Sequence, residues 1–271
     1  MEDKLRGKPE KFADHYTQAT LFYDSQTEVE QAHIAGGFRF ELSKLTVPAI
    51  RERMLASLVN VSAELAATVA DGLGMDVPPA LPRALVAPNT PEVSRSPALS
   101  LTALPGDGGI RTRRIAILAA NGVTGQPIAA LHAALMKAGA APCVIAPRIG
   151  PLKTADGVAL EASGSLENSA SVLFDAVVLP DGAAGVALLA RHHQTLDFIS
   201  DQYRHCKTLL VLGASKSLLD QAGIGPTLPA GGADPGVLMA SAGDAGAATA
   251  AFIEAVAKHR HSARDIEPQP V

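Results

Sequence analysis

The stretch Arg114-Ile115-Ala116-Ile117-Leu118-Ala119-Ala120-Asn121-Gly122-Val123-Thr124-Gly125 decides the fold. Its first half is a short apolar run of the kind that forms a strand buried on both faces, and its second half is a glycine-marked turn. A helix over residues 126–138 follows, with Ile128, Leu131 and Leu135 on one side and Gly139 as its stop. Strand, turn and helix in that order predict a parallel crossover, the connection that parallel neighbours require. The alternation continues downstream. Residues 142–147, 176–179, 208–212 and 237–240 supply further strand cores, and helical segments are expected near 188–190, 196–205, 216–222 and 245–259. The expected fold class is α/β, an open doubly wound parallel sheet over residues 113–261. Asp156-Gly157, within 152–160, predicts an inserted hairpin, and residues 262–271 read as a polar tail.

Residues 1–74 carry a different period. Thr27-Glu28-Val29-Glu30 is a capping box, followed by Ile34, Phe38, Leu42 and Leu45 at helical spacing. Thr46 with Pro48 restarts a helix whose apolar stripe is expected at Ile50, Met54, Leu58 and Val61. Ser62 caps a third, with Leu65, Val69 and Leu73 on one face and Gly74 at its end. Between 75 and 112, Pro78, Pro79, Pro82, Pro88, Pro91, Pro97 and Pro105 break any regular hydrogen-bonding pattern, so this is a linker. Its apolar residues Leu81, Leu85, Val86, Leu99, Leu101 and Leu104 favour wrapping over a surface.

The 271 residues are 47% hydrophobic and 18% charged, enough apolar material for two cores, built from aliphatic residues because there is no Trp and aromatics are 4%. A net charge of −4 supplies no basic field for nucleic acid. No run approaches the ~20 apolar residues that span a bilayer, and Met1-Glu2-Asp3-Lys4-Leu5-Arg6-Gly7-Lys8 leads into no signal core, so no membrane partner and a cytoplasmic location are expected. Cys143 and Cys206 form neither a CxxC pair nor a disulfide framework.

Several strings carry a resemblance: Phe12-Ala13-Asp14-His15-Tyr16, Leu21-Phe22-Tyr23-Asp24-Ser25-Gln26-Thr27, Glu30-Gln31-Ala32-His33-Ile34, and above all Phe38-Arg39-Phe40-Glu41-Leu42-Ser43-Lys44-Leu45 with Ile50-Arg51-Glu52-Arg53. Together they resemble the helical segment that follows the haem barrel in large-subunit catalases. Ser96-Pro97-Ala98-Leu99-Ser100-Leu101 resembles the end of that family's linker, and Ser171-Val172-Leu173-Phe174-Asp175-Ala176-Val177 its final domain. The resemblance implies a parent reaction that converts hydrogen peroxide to water and oxygen at a haem held in an upstream barrel. No such barrel is expected in this chain, which starts inside the family's pattern as a truncated product or excised piece would. Tyr23 is read as a packing residue, since Ala19 stands where the family's haem-ligand string has Arg. The implied cofactor of this chain is therefore none, with haem left to the absent domain.

The α/β half resembles the PfpI and class I glutamine amidotransferase superfamily, with its flavodoxin-like fold. Members place a Cys on the turn between a strand and a helix, whereas here that turn is Val211-Leu212-Gly213-Ala214-Ser215-Lys216-Ser217, without Cys. Cys206, before the strand, reads as a structural thiol and Ser215 as a helix cap rather than a substitute nucleophile. No catalytic, cofactor or metal residue is assigned, and Asn121, Gly213 and Ser215 mark a residual cleft at the strand ends. Gly106-Asp107-Gly108-Gly109 and Gly122-Val123-Thr124-Gly125 miss the dinucleotide fingerprint, and Ala146 and Pro147 stand where its acidic residue would be. His192-His193, His259 and His261 read as solvated surface groups. Expected partners are a second copy in a dimer or tetramer, the haem barrel in a full-length parent, and, as an alternative, unfolded clients of a holdase chaperone. A small-molecule hydrolase is the remaining alternative.

Overall fold

In the computed structural model, residues 7, 9–85, 90–101, 108–228 and 230–264 are described. Expectations placed on Val86, Pro88, Leu104, Pro105, Gly106, Asp107, residues 265–271 and most of residues 1–8 lie outside them. The chain divides into two compact units, one within residues 1–104 and one within 105–266.

Among its described residues the first unit has four α-helices, α1 (Thr17–Asp24), α2 (Glu28–Ser43), α3 (Pro48–Val59) and α4 (Ala63–Gly72). The capping box forms as the sequence predicts. Glu30 N–H donates to Thr27 Oγ1 at 3.3 Å, and Thr27 N–H donates to Glu30 Oε2 at 2.8 Å. Ser62 caps α4 by accepting from Leu65 N–H, and Gly74 leaves the helix with a φ of +64°. Tyr23, Leu42, Leu55, Leu58, Leu65 and Val69 bury the common core.

The stripe expected on α3 is only half right. Leu58 is buried together with Leu55 and Ala56, while Ile50 and Met54 are each 39% exposed. Val47, Ile50 and Met54, spaced three and four residues apart, thus form an outward apolar row, and Phe40 at the end of α2 is 63% exposed. Periodicity locates the apolar positions without telling which of two adjacent faces this unit buries.

Polar contacts hold the described parts of the Pro-rich segment. Leu81 N–H donates to Ala56 O, while Asn60 donates to Leu81 O and accepts from Arg83 Nε at 2.8 Å. Farther on, Ser96 N–H donates to Ser25 Oγ, and Ser100 Oγ and Leu101 N–H both donate to Glu30 at 2.8 Å. Leu99 and Leu101 themselves remain exposed.

The second unit contains β1 (Arg114–Leu118), α5 (Gly125–Lys137), β2 (Ala141–Ala146), β3 (Gly150–Leu152), β4 (Leu160–Ala162), β5 (Gly164–Ser165), β6 (Ala176–Leu179), α6 (Ala183–Leu189), α7 (His193–Arg204), β7 (Thr208–Leu212), α8 (Lys216–Gln221), β8 (Val237–Ala240) and α9 (Ala245–Ala257). Its six-stranded sheet has the order β5-β2-β1-β6-β7-β8, and every pairing is parallel. Leaving the two-residue β5 aside, this is the 2-1-3-4-5 order of flavodoxin-like folds.

Alternation along each strand builds two cores. Ile115, Ile117, Val178, Leu210 and Leu212 face α5 and α9, where Leu131, Leu135, Phe252 and Val256 cover them. Ala116, Leu118, Val177, Leu209 and Val211 face the other layer, with Val186, Leu189, Phe198, Ile199, Leu218 and Leu219. The inserted hairpin is present as antiparallel β3 and β4, with Asp156-Gly157 in the loop between them.

Two expectations fail at the chain's end. The tail predicted to begin at 262 instead starts with a docked turn: Arg264 is buried and paired through Nη2 with Asp234 Oδ1 at 3.0 Å, and it also donates to Lys207 O. His261, read as a solvated residue, is buried with Nε2 2.9 Å from Thr208 Oγ1 and its N–H on Cys206 O. Gly236 makes room for both, because any Cβ there would overlap the His261 ring and the Arg264 guanidinium. No local pattern reports a partner more than fifty residues away.

Candidate functional site

In an open parallel sheet the ligand crevice lies beyond the carboxyl ends of the strands, beside the first helix's N-terminus. The loops after β1, β6 and β7 form that edge here, and they carry Asn121, Pro180–Gly182 and Gly213–Ser215 in turn.

The N-terminus of α5 already holds an anion. Asp156, from the β3–β4 loop, accepts from Gly125 N–H at 2.9 Å and Gln126 N–H at 2.8 Å. Those hydrogen bonds, the one from Gln126 foremost, hold its carboxyl down at about 2. A phosphate would need the same two amides. Asn121 is turned to the same loop, with Oδ1 accepting from Lys153 N–H at 2.9 Å while Gly122 N–H donates to Lys153 O.

The turn after β7 is filled in the same manner. Gly213 has a φ of +51°, and a Cβ at this position would overlap the Asp181 carboxylate. Asp181 Oδ1 accepts from Ala214 N–H at 2.8 Å and from its neighbour Gly182 N–H at 2.7 Å, while its carbonyl accepts from Thr124 N–H. Gly182 and Gly185 approach the Gly122–Thr124 backbone so closely that any side chain would collide with it. The turns after β1 and β6 are therefore packed on each other.

Ser215 is fully buried. The helix-cap role expected for it is not what its hydroxyl performs: Oγ donates to Pro180 O at 2.5 Å, and no side-chain cap bond is made at α8. The hydroxyl is thus committed to a carbonyl on the neighbouring turn, in the interior. Asn121, Gly213 and Ser215 thus share an edge, with Pro180–Gly182 standing between the first and the other two. Sequence reasoning misses Asp156 and Asp181 as the groups that occupy this edge. The Asp181-Gly182 dipeptide directly after an apolar strand is the signal that could have found the second of them.

The remaining candidates lie elsewhere. Cys206 is buried at the start of β7, at the opposite edge of the sheet from Gly213. Tyr23 packs in the helical core, where burial pushes its phenol up, and Tyr203 lies under the Arg264 guanidinium at 4.7 Å. His192 and His193 sit at the start of α7, and among the described residues no three His, Cys, Asp or Glu side chains gather as a metal site. No helix among these residues is long and apolar enough to cross a membrane.

Comparison with known proteins gives the same division of the chain. Residues 9–73 match the family described as catalase-related immune-responsive, and residues 111–265 match the C-terminal domain found in long catalases. Catalase C of Rhizobium meliloti is 42% identical over 228 residues, which is 84% of this chain and 32% of that protein. Catalase HPII of Pseudomonas aeruginosa is 38% identical over 238 residues, 87% of this chain and 32% of that protein, and catalase HPII of Pseudomonas putida is 35% identical over 269 residues, 99% and 36%. The chain spans about a third of the length of these relatives. With the flavodoxin-like strand order, a catalase-type helical unit before it and matches of this kind along most of its length, the chain belongs to the long-catalase family and corresponds to that family's C-terminal region.

Proposed function

We propose that this chain is the non-haem part of a large-subunit catalase, a structural module that stabilises the assembly and has no peroxide-decomposing activity alone. The observation that carries this reading is the outward apolar row Val47, Ile50 and Met54, with Phe40 nearby in sequence, on a unit whose own core lies on the other face of α3. Apolar side chains in such a row favour a covering surface, in a second copy or in the haem-bearing part of a parent chain. Tyr23 does not fit a haem ligand, since it packs in the helical core and Ala19 rather than Arg stands four residues before it.

The purified chain is expected to show no Soret band and no oxygen release from peroxide, and to self-associate in light scattering coupled to size exclusion. Ile50→Lys with Met54→Lys should shift it to monomer. A monomeric unsubstituted chain would remove the second copy as the covering surface and leave the haem-bearing part, whereas haem absorbance with oxygen release would overturn the reading. The same apolar row would also serve a holdase. Suppression of client aggregation that is lost in the double Lys variant, with the oligomer unchanged, would favour that second function.

A further inference from the structure

The amino-terminal edge of the sheet in the second unit collects cations although the chain as a whole is acidic. Arg111 and Arg114 precede or open β1, Lys137 ends α5, Arg204 ends α7, and Lys258 and Arg260 follow α9, all of them exposed. The exposed carboxylates on the adjoining last turns are Asp201 and Glu254, while Asp175 is paired with Arg113 and Asp234 with Arg264. Cations at helix C-termini offset the helix dipole, which accounts for Lys137 and Arg204. It does not account for Arg111, Arg114 or Arg260, which lie outside helices.

The same edge presents an apolar projection. The turn Ser171–Leu173 runs into β6 with Val172 77% and Leu173 45% exposed, next to Phe174, over which the Arg114 guanidinium lies at 5.0 Å. Beneath the turn, Lys207 Nζ donates to Ser171 O and Phe174 O, and Gln202 Nε2 donates to Ser171 O and Oγ. Both side chains are buried. Burying an ammonium group is costly, and here it fixes the backbone of a turn whose outward side chains are apolar.

We propose that this edge is a docking surface for an acidic polypeptide segment that also carries aliphatic side chains. Arginine predominates among the exposed cations, and its planar fork matches a carboxylate through two parallel hydrogen bonds. Strands lie about 4.8 Å apart, so the row from β1 to β8 runs roughly 14 Å, the reach of a few extended residues. A rigid aliphatic projection among arginines resembles the apolar centre and charged rim of protein interfaces. Two aliphatic side chains add little to nucleic-acid binding and make a small anchor for a bilayer.

The test uses the intact chain and fluorescence anisotropy of a labelled peptide of alternating Glu and Leu, beside a Glu–Ser peptide, duplex DNA and phosphatidylserine vesicles. Binding of the Glu–Leu peptide is expected, weakened about tenfold or more by Arg111→Glu with Lys258→Glu and equally by Arg204→Glu with Arg260→Glu. Val172→Asp should remove the advantage of Glu–Leu over Glu–Ser. Circular dichroism should be unchanged for Arg111→Glu with Lys258→Glu, the deciding pair, whose positions are exposed, whereas Arg260 lies close enough to Asp175 to feel its charge. Absence of peptide binding, indifference to both charge reversals, or tighter binding of DNA or vesicles than of the peptide would each overturn the proposal.

Discussion

The two edges of one sheet have exchanged the roles that topology assigns them. At the carboxyl edge, where doubly wound proteins hold ligands, Asp156 and Asp181 occupy the backbone amides and glycines close the turns on each other. At the amino edge, which such proteins commonly leave inert, lie a buried ion pair, a buried lysine, a buried histidine and a set of exposed arginines. Topology says where a crevice can form. Which side chains reach it is decided by loops that the strand order does not constrain.

The largest effect that could break this contrast is expected at the amino edge. Asp234→Ala leaves Arg264 buried without its carboxylate and should cost about 3–5 kcal/mol in urea unfolding. A change below about 1 kcal/mol would mean that the turn at 262–264 is not docked in solution. The second effect is a pH dependence. Burial, with Arg264 beside it, pushes His261 down to about 4 from its ordinary 6.5, so the folded chain binds fewer protons than the unfolded chain between those values. Its contribution to stability is complete above about pH 6.5 and is lost as pH falls towards 4, about 3 kcal/mol in all. Replacing His261 by Asn should flatten that part of the stability profile, which chemical denaturation between about pH 4 and 7 would reveal.

Smaller effects are expected at the carboxyl edge. Asp181→Ala frees the Ala214 and Gly182 amides and should cost about 2 kcal/mol by the same unfolding measurement. If the variant instead equalled the wild type, the turn after β7 would be open enough for water to replace the carboxylate. Asn121→Ala removes one partly solvated acceptor for Lys153 N–H and should cost about 1 kcal/mol or less, read as a small drop in Tm. The ranking itself sharpens the comparison: an edge held by ions in a dry interior should be more sensitive than one held by solvated turns.

Much of this fold is legible in the order of residues alone. β6, β7 and β8 lie on the stretches 176–179, 208–212 and 237–240, and the Thr27–Glu30 box starts α2, because runs of apolar residues and local caps are properties of neighbouring positions. The face of α3 is not legible, since burial there depends on what α2 and α4 cover. The site is legible only in its location. Asp181 meets Ala214 across 33 positions and Asp156 meets Gly125 across 31, and a carboxylate that fills a crevice reads in sequence like any loop aspartate. His261 and Arg264 mislead because polar identity near a chain end suggests solvent, whereas the partners that bury them come from β7 and the segment before β8.

Glu30 shows how tightly the first unit's parts depend on one another. One carboxylate closes the first turn of α2 and also receives the hydroxyl of Ser100 and the amide of Leu101, about seventy positions downstream. Trimming the chain before Ser100 would therefore loosen a helix that begins at Glu28, and neutralising this side chain would release the start of that helix and the Ser100–Leu101 stretch in a single step.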